Sequence, residues 1–367
     1  MREKKKVLVA MSGGVDSSVA AALLVKAGHQ VVGAFMVNYD EKGETPGCWR
    51  GDYQDALRVA AKLGIKLLRL DFTKEYRQQV LTYMYREYAA GRTPNPDVLC
   101  NKFIKFGAWL KKAKALGFDK LATGHYAVIK TLKHKNIKTV RLFEARDENK
   151  DQTYFLHQLT QAQLKQVLFP IGGYTKPQVR VLAKKLGLPT AGKEESMGIC
   201  FIGEVPMKKF LSKKIKAKKG KIILSSGRVV GAHSGLAFYT IGERVGIKFP
   251  ISNFQFPMFR PLYVVAKNTQ KNALIVGHEN DPLLFAREIL VKNINWVAGQ
   301  APKFPLKCEV RLRHRQPLQK ARIIKTLKHK NIKTIRVFFD KPQRAVTPGQ
   351  FAVLYLNGEC LGGGEIA

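Results

Sequence analysis

In the first half of the chain, short apolar runs alternate with segments in which apolar residues recur at helical spacing. β-strands are predicted at the apolar runs Lys6–Met11, Val31–Val37, Lys66–Phe72 and Lys120–Ile129. Helices are predicted at Asp16–Ala27, Tyr53–Leu63, Lys74–Ala89 and Asn101–Leu116. Capping-box patterns start two further helices, at Thr160 and Thr175. Strands that alternate with helices are typical of βαβ units, so the pattern predicts an α/β fold with a parallel sheet.

After about residue 210 the pattern changes to short apolar runs separated by Gly, Pro and Asn. Strands are predicted at Lys221–Leu224, Pro261–Val265, Ala273–Val276, Glu288–Val291, Lys307–Arg313, Thr334–Phe339 and Phe351–Tyr355. Short strands at this spacing favour a small β-rich module followed by a β-barrel. We therefore expect an α/β domain at residues 1–209, a central β-rich domain at 210–272 and a C-terminal β-barrel at 273–367.

A glycine-containing loop, SGGVDSS at residues 12–18, lies between the first predicted strand and the first predicted helix. Gly13 and Gly14 let backbone N–H groups approach an anion, and the helix N-terminus adds positive dipole. The loop lacks the Gly-Lys-Ser/Thr of a Walker A loop, which usually serves γ-phosphate transfer. It is similar to the loop of enzymes that split ATP between the α and β phosphates to adenylate a substrate. Asp16 is either a residue that helps hold Mg²⁺ or simply the N-cap of the helix.

Two cysteines lie in distinctive surroundings. Cys100 ends the run TPNPDVLC, in which two prolines predict a rigid loop that delivers Asp97 and Cys100 to the start of the next helix. A thiol at a helix N-terminus has a lowered pKa and is a better nucleophile. Cys200 lies in the apolar, glycine-flanked run GICFIG. Buried thiols without a chemical role are expected at the other cysteines, Cys48, Cys308 and Cys360.

The net charge of the chain indicates which kind of macromolecule it binds. The chain has 64 Lys and Arg against 27 Asp and Glu, a formal net charge of +37 with a pI near 10.1. Such a field favours polyanions, foremost RNA or DNA, although a lysine-rich proteome would give the same excess. Near the C-terminus, a period of two places Arg311, Arg313 and Arg315 on one face of a predicted strand. Three guanidinium groups on one face suit phosphate contact.

Cysteine usage and hydropathy bear on the compartment. The five cysteines are odd in number and widely spaced, without a CxxC or Cys/His metal spacing. This argues against a disulfide framework and a bound metal, and favours a reducing cytoplasm. The apolar run Val7–Met11 is too short for a signal peptide. Since no stretch approaches the roughly 18 apolar residues that cross a bilayer, we expect a cytoplasmic protein without a membrane partner.

Several motifs occur together and in order: SGGVDSS, TPNPDVLCNKFIKF, ATGHYA, NKDQTYFL, GICFIG, TPGQ and CLGGG. In this combination the chain resembles the bacterial and organellar tRNA 2-thiouridylase family of the PP-loop ATP pyrophosphatase superfamily, from Val7 to Gly364. The resemblance implies an ATP-dependent sulfurtransferase that thiolates the wobble uridine of tRNA. It also implies a PP-loop catalytic domain followed by a tRNA-binding central domain and the barrel.

The resemblance implies a set of site residues. ATP is expected to contact Ala10, Met11, Ser12, Gly13, Gly14, Val15, Asp16, Ser17, Met36 and Gly124. The target base is expected to contact Asn95, Pro96 and Asp97. Other tRNA contacts are expected at His125, Lys150, Asp151, Gln152, Arg313, His314 and Gln350.

The implied chemistry uses both cysteine motifs. The uridine C2 oxygen is adenylated, and a Cys200 persulfide, loaded by a sulfur-relay or cysteine-desulfurase protein, then delivers sulfur to C2. Cys100 resolves the intermediate and leaves a Cys100–Cys200 disulfide, while Asp97 is suited to acid–base work. A disulfide requires Cα atoms within roughly 7 Å of each other. The fold must therefore bring the two motifs to one cleft, expected at the carboxyl ends of the strands.

The residues themselves leave alternatives open. An adenylating ligase that acts on a small molecule shares the glycine loop but leaves the cysteine motifs and the basic tail unexplained. A catalytically inactive tRNA-binding protein would bind tRNA without cleaving ATP. Asp97, Cys100 and Cys200 also offer three ligands for an iron–sulfur cluster in place of a persulfide.

The chain contains a duplicated segment and a few departures from the motifs of the resembled family. The segment TLKHKNIKT occurs at residues 131–139 and again at 326–334, each time between predicted strands. Duplicated hairpin tips are the favoured interpretation, with basic fingers on RNA as the other. The sequence departs from the resembled family at residues 195–198, ESMG, where Asp-Ser-Thr-Gly is usual, and at His314, where Tyr is common. These departures bear on tRNA contacts and leave the candidate catalytic residues unchanged.

Overall fold

A parallel sheet organises the first half of the chain in the computed structural model, which describes residues 4–40, 49–134, 137–194, 206–246, 261–326 and 334–367. The strands in chain order are β1 (Lys6–Ala10), β2 (Gln30–Val37), β3 (Leu67–Asp71), β4 (Lys120–Ala122), β5 (Val128–His134), β6 (Ile137–Phe143) and β7 (Val167–Leu168). The sheet has the order β3-β2-β1-β4-β7, and each pairing in it is parallel. The predicted α/β fold is thereby confirmed.

Helices cover both faces of this sheet. They are α1 (Val15–Lys26), α2 (Trp49–Leu63), α3 (residues 73–89), α4 (residues 96–115), α5 (Thr153–Leu156), α6 (Gln161–Leu164) and α7 (Lys176–Lys185). On β1, Leu8 packs into one core cluster with Trp109 of α4, while Val9 packs into another with Val19 of α1 and Val59 of α2. Burial on both faces explains why β1 and β2 are nearly continuous apolar runs. Among the described residues, no helix combines the length and apolarity needed to cross a bilayer.

The predicted strand Lys120–Ile129 is wrong in its second half. β4 ends at Ala122, and the chain leaves the parallel sheet before β5 begins in a different one. The reason lies at Gly124, which is so close to the start of α1 that a Cβ there would be 2.7 Å from the backbone nitrogen of Ser17. This close approach draws residues 123–127 out of the strand and toward the glycine loop.

The central module is a five-stranded sheet. After α8 (Met207–Ser212), its strands are β8 (Gly220–Leu224), β9 (Val229–His233), β10 (Arg244–Val245), β11 (Leu262–Asn268) and β12 (Ala273–Gly277), in the order β10-β11-β12-β8-β9. Because β12 pairs with both β11 and β8, residues 273–277 belong to the central sheet rather than to the third domain to which the sequence assigned them.

The predicted C-terminal β-barrel is confirmed. Its strands are β13 (Phe285–Trp296), β14 (Leu306–Arg311), β15 (Gln319–Lys325), β16 (Ile335–Arg344), β17 (Phe351–Leu356) and β18 (Glu359–Ile366). They follow the order β13-β16-β15-β14-β17-β18, and pairing of β13 with β18 closes the barrel. The hairpin β5–β6 of the first domain extends the barrel sheet, since β6 pairs with β18. Sequence analysis did not foresee this shared sheet.

The duplicated segment falls at two hairpins. The first copy lies in β5 and β6, and the second joins β15 to β16. Residues 327–333 of the second copy lie outside the described residues. The described flanks, with the Thr326 hydroxyl donating to the Thr334 carbonyl at 3.1 Å, agree with the hairpin-tip interpretation.

Buried polar contacts join the first domain to the barrel around α5. The Tyr154 hydroxyl lies 3.2 Å from the carbonyl oxygens of both Leu312 and Phe351. The side-chain amide of Gln158 donates to the Gly363 carbonyl at 2.9 Å. These partners are buried and satisfied, so the barrel is held as a continuation of the first domain's core.

A buried charged contact across this junction is made by Arg311, which is only 9 % exposed. Its guanidinium donates to Asp151 at 3.1 Å, to Glu144 at 3.2 Å and to the Gln316 carbonyl at 2.9 Å. The guanidinium carbon also lies 5.0 Å from the centre of the Tyr355 ring, a cation–π contact. Burial nevertheless dominates at the carboxylate and raises the pKa of Asp151.

Acidification is expected to weaken this junction through His157. Its ring is fully buried, its Nδ1 lies 2.6 Å from the Tyr154 carbonyl, and burial lowers its pKa to about 4. Below about pH 6.5, the usual pKa of histidine, His157 is protonated in the unfolded chain but stays neutral in the folded protein. The free energy of unfolding therefore decreases as the pH falls from about 6.5 to about 4. The loss should reach about 2 kcal/mol at pH 5.

Urea unfolding at pH 7 and pH 5 measures this effect. His157→Gln should show a shallower loss between the two pH values than the unsubstituted protein, whereas His278→Gln, at an exposed position, should not. Equal pH dependence in the His157→Gln variant and the unsubstituted protein would remove His157 as the cause.

Candidate active site

The glycine loop turns directly from β1 into α1. Gly13 has a φ of +73°, and a Cβ there would meet the Asp52 carbonyl oxygen at 2.2 Å, so this position requires glycine. The carbonyl of Gly14 accepts hydrogen bonds from the hydroxyls of Ser17 at 3.0 Å and Ser18 at 2.8 Å. The first N–H groups of α1 have no partner within the helix and face the end of the strand, which is the arrangement that binds phosphate.

Asp16 has a different role from the helix cap considered in the sequence. Gly14 occupies the N-cap position, and both carboxylate oxygens of Asp16 accept from the Lys176 ammonium, at 2.7 and 2.8 Å. The Tyr126 hydroxyl donates to the same carboxylate at 2.8 Å. Sequence analysis missed Lys176, whose position after a helix cap gives no signal of this long-range pair.

The contacts of Asp16 bear on whether its carboxylate could bind Mg²⁺. Since Asp16 already accepts from an ammonium and a phenol, it does not fit a direct metal ligand. Within the described residues, no group of three His, Cys, Asp or Glu side chains converges on a metal position. Mg²⁺ commonly binds mainly through substrate phosphates and water. Mg²⁺ therefore stays a prediction for this protein.

The other residues expected around ATP lie at one edge of the sheet. Ala10 pairs in register with Ala34 of β2, and the Met11 N–H donates to the Ala34 carbonyl at 2.9 Å. Met36 follows on β2 and is buried. Gly124, beyond β4, contacts the start of α1. The carboxyl ends of three parallel strands therefore surround the loop, where a nucleotide is expected in this kind of sheet.

Replacing Gly124 with alanine is expected to weaken ATP binding. The added Cβ would lie 2.7 Å from the Ser17 nitrogen and 2.8 Å from the Asp16 carbonyl carbon, both backbone atoms that must shift. Overpacking costs of about 1–3 kcal/mol correspond to roughly a 5- to 150-fold rise in the Kd for ATP. Calorimetric titration checks this. Gly173→Ala, where nothing lies within 4 Å of the Cβ, is the matched control. Equal ATP affinity in the two variants would count against the contact.

The helix that carries Cys100 begins earlier than predicted. α4 starts at Pro96 because the Asn95 side chain accepts from the Val98 N–H at 3.2 Å and caps it. Asp97 therefore lies in the first turn and Cys100 in the second, so Cys100 is not at the helix start. Cys100 begins a π-helical segment, Cys100–Ala108, and is fully buried. Such segments are frequent at functional sites.

The loop before this helix is held by both β-rich parts. From the central module, Lys267 donates to the Gly91 carbonyl at 3.0 Å, and Thr240 lies 3.4 Å from the Thr93 hydroxyl. From the barrel, the Pro348 carbonyl accepts from the Thr93 N–H at 3.0 Å. Gln350, expected to face tRNA, instead donates from its side chain to the carbonyls of Thr93 at 2.9 Å and Pro94 at 3.2 Å.

Of the residues expected to face tRNA at 125 and 150–152, His125 and Asp151 are buried, whereas Lys150 and Gln152 are half-buried. His125 is buried, with its Nδ1 2.7 Å from the Thr123 hydroxyl, and burial holds its pKa well below the usual value. Its ring is therefore neutral. Asp151 is 2 % exposed and faces Arg311, so the expected direct tRNA contact does not match its position. Gln152 accepts from the Tyr126 N–H at 2.9 Å.

The predicted face of three arginines is wrong. β14 ends at Arg311, which is buried, and Arg315 has a positive φ of 64° beyond the strand. Arg313 donates to the carbonyl of Ala345 and lies 3.3 Å from the Thr347 hydroxyl. The His314 ring packs on Phe155, 4.5 Å between ring centres. The period-two argument failed because the strand stops before the second arginine.

Not all candidate residues are described. Cys200, with its run GICFIG, and Cys48 lie outside the described residues, so the Cys100–Cys200 pairing stays a prediction. Cys308 and Cys360 are buried in the barrel, as expected for thiols without a chemical role.

Comparisons with known proteins give the family. Three family models match: tRNA methyl transferase HUP domain at residues 5–204, tRNA methyl transferase PRC-barrel domain at 208–278 and Aminomethyltransferase beta-barrel domain at 286–366. The tRNA-specific 2-thiouridylase MnmA of Halalkalibacterium halodurans is 44% identical over 366 residues, 99% of this chain and 95% of that protein. The chain belongs to the tRNA-specific 2-thiouridylase family. The MnmA of Geobacillus thermodenitrificans is 46% identical over 364 residues, 98% of this chain and 94% of that protein.

One domain limit of this 2-thiouridylase family member, the end of the central module, agrees between sheet pairing and the family models. The middle model ends at residue 278, directly after β12. Among solved structures, the U34-tRNA thiolase NcsA from Methanococcus maripaludis with its 4Fe-4S cluster aligns at 18% identity and a TM-score of 0.35, over 57% of this chain and 63% of that one.

Proposed function

We propose that the protein transfers sulfur to C2 of a uridine in tRNA, in a reaction that consumes ATP. The observation that carries the proposal is the match to tRNA-specific 2-thiouridylases over 98–99% of the chain. A glycine loop at the carboxyl end of β1 and a buried cysteine on α4, in one α/β domain, supply the two chemical functions that such a reaction requires. A net charge of +37 suits an RNA substrate.

The first proposed step activates the uridine. A carbonyl oxygen is a poor leaving group, so the C2 oxygen attacks the α-phosphorus of ATP, pyrophosphate leaves, and N3 of the uridine releases its proton to solvent. The N–H groups at the start of α1 and the dipole of that helix stabilise the negative charge that develops on the pyrophosphate. The product is an O2-adenylated uridine, which we place at the wobble position by family resemblance.

The second proposed step brings in sulfur. The terminal sulfur of a Cys200 persulfide attacks C2, AMP leaves, and the uridine is joined to Cys200 through a sulfur–sulfur bond. The Cys100 thiolate then attacks the Cys200 sulfur, the bond electrons leave with the uridine sulfur, and N3 takes up a proton to give the C2 thione. Asp97, three residues earlier on α4, is the proposed acceptor of the Cys100 proton. A two-electron thiol reductant must then reduce the Cys100–Cys200 disulfide.

The persulfide route and an iron–sulfur cluster make different demands on the active protein. A persulfide on Cys200 requires a donor protein of the cysteine-desulfurase or sulfur-relay class. A cluster held by Asp97, Cys100 and Cys200 would instead require iron in the active protein. Metal analysis of anaerobically purified active protein separates the two, because the persulfide route predicts full activity without iron.

The deciding experiment is mass analysis of nucleosides from unmodified tRNA after incubation with the protein, Mg-ATP and a persulfide-generating desulfurase. We expect 2-thiouridine together with AMP, and no thiolated nucleoside from Cys200→Ser. Binding of tRNA and ATP without any thiolated product would favour the inactive binding protein. Adenylation of a small molecule in the absence of tRNA would favour the ligase.

A further inference from the structure

The barrel presents one turn to the segment that precedes Cys100. In this turn, Thr347–Gln350, Gly349 has a φ of +91°, and a Cβ there would lie 3.1 Å from three backbone atoms of Thr93. Two chain segments that approach this closely need a residue without a side chain. Strand β18 fixes the turn from behind, because the Gly349 N–H donates to the Ile366 carbonyl at 3.0 Å and the Ile366 N–H to the Gln350 carbonyl at 2.8 Å.

Both ends of the Gln350 side-chain amide contact residues 93–95. Its amide nitrogen donates to the Thr93 and Pro94 carbonyls, and its oxygen lies 3.4 Å from the Asn95 amide nitrogen. Pro94 has no N–H, so this segment has one backbone donor fewer with which to pair. The same Asn95 caps α4 through its oxygen. A continuous set of hydrogen bonds therefore runs from the barrel to the first turn of the helix that carries Cys100.

We infer that Gln350 is a positioning residue: it fixes residues 93–95 and thereby the start of α4, rather than serving mainly as a contact for tRNA. This inference rests on the proposed function for its effect on turnover, although its structural part does not. A glutamine with both ends of its amide engaged by the protein has little capacity left for RNA. Loss of two hydrogen bonds to buried carbonyls leaves those carbonyls unsatisfied and frees the helix start.

The test compares Gln350→Ala and Gln350→Glu with Gln343→Glu. The carboxylate of Gln350→Glu keeps the size of the side chain but places negative oxygen against two carbonyl oxygens. Gln343 is a buried barrel glutamine that bonds within the barrel, to Gln316 and Gln319, and not to residues 93–95. Gln343→Glu therefore reports on general loss of barrel stability, which thermal unfolding of all three variants measures.

Three readouts are needed. In the tRNA-free protein, the rate of Cys100 alkylation, followed by mass analysis of its peptide, should rise about tenfold in both Gln350 variants and stay unchanged in Gln343→Glu. With tRNA, the single-turnover thiolation rate at saturating tRNA should fall about tenfold or more. The Kd for tRNA should stay within about twofold.

Two results would overturn the inference. One is a large rise in the Kd for tRNA with unchanged Cys100 alkylation and unchanged rate at saturation, which would make Gln350 an RNA contact. The other is equal Cys100 alkylation in Gln350→Ala, Gln343→Glu and the unsubstituted protein. If the unsubstituted protein makes no 2-thiouridine, the proposed function fails, while the alkylation readout still decides whether Gln350 holds the loop.

Discussion

Replacing Cys100 with serine is expected to stop turnover and leave ATP cleavage intact. Pyrophosphate release needs only the glycine loop and a bound uridine. Sulfur transfer from Cys200 should also proceed, but the sulfur–sulfur bond to the uridine then has no thiolate to break it. A serine hydroxyl is far less acidic than a thiol and forms no stable bond to sulfur. The variant should therefore accumulate a covalent protein–tRNA species at low thiol concentration.

Denaturing gel analysis with labelled tRNA detects that species, and dithiothreitol should release it as 2-thiouridine-containing tRNA. Cys308→Ser is the matched control, because Cys308 is buried in the barrel, where burial raises its thiol pKa to about 12 and keeps it uncharged. We expect Cys308→Ser to thiolate tRNA at the same rate as the unsubstituted protein. Normal turnover by Cys100→Ser without added thiol would show that another group resolves the intermediate.

Replacing Arg311 with methionine is expected to lower the free energy of unfolding by about 3–5 kcal/mol. The substitution removes the donor shared by Asp151 and Glu144 and leaves a buried carboxylate, Asp151, beside a half-buried one, Glu144, without a cation between them. Their pKa values are already raised by burial even with the guanidinium in place. Without it, the folded state should hold a proton on this pair. The unfolded chain releases that proton readily. The difference in the free energy of unfolding between the variant and the unsubstituted protein should therefore grow as pH rises.

Urea unfolding at pH 5.5 and pH 8 measures both the loss and its pH dependence. The control is Arg336→Met on β16, where the arginine pairs with Glu288 at an exposed position and little change is expected. The double variant Arg311→Met with Asp151→Asn should be less destabilised than the two single losses added together, since their interaction is counted twice in that sum. An Arg311→Met protein as stable as Arg336→Met would mean that the pair contributes no net stability.

The sequence predicted the parts of the fold that local patterns determine. The apolar runs of β1, β2 and β3 and both capping boxes are confirmed, because strand burial and helix capping depend on neighbouring residues. The start of α4 was misplaced by five residues. Two prolines indicate a break in a helix, but Pro96 occupies the first helical position, where its missing N–H costs nothing.

Long-range contacts explain most of what could not be predicted. Arg311 was expected on an RNA-facing strand surface, yet its partners Asp151 and Glu144 lie about 160 residues earlier in the chain. Likewise, no local pattern places Lys176 against Asp16. The motifs around the site were recognisable as residues, but their burial is set by how the three domains pack. Gln350 illustrates this: the TPGQ run was evident, and its contact with residues 93–95 was not.

The shared sheet makes the order of synthesis matter. The hairpin β5–β6 emerges early, but its partner β18 is the last strand in this sequence. Until β18 is made, one edge of the hairpin has no neighbour and can pair wrongly with another chain. The same final strand closes the barrel and fixes the turn that holds the segment before Cys100. A chain that stops short of β18 therefore lacks the strand that fixes the Thr347–Gln350 turn, so the barrel's contact with residues 93–95 can form only after β18 has been made.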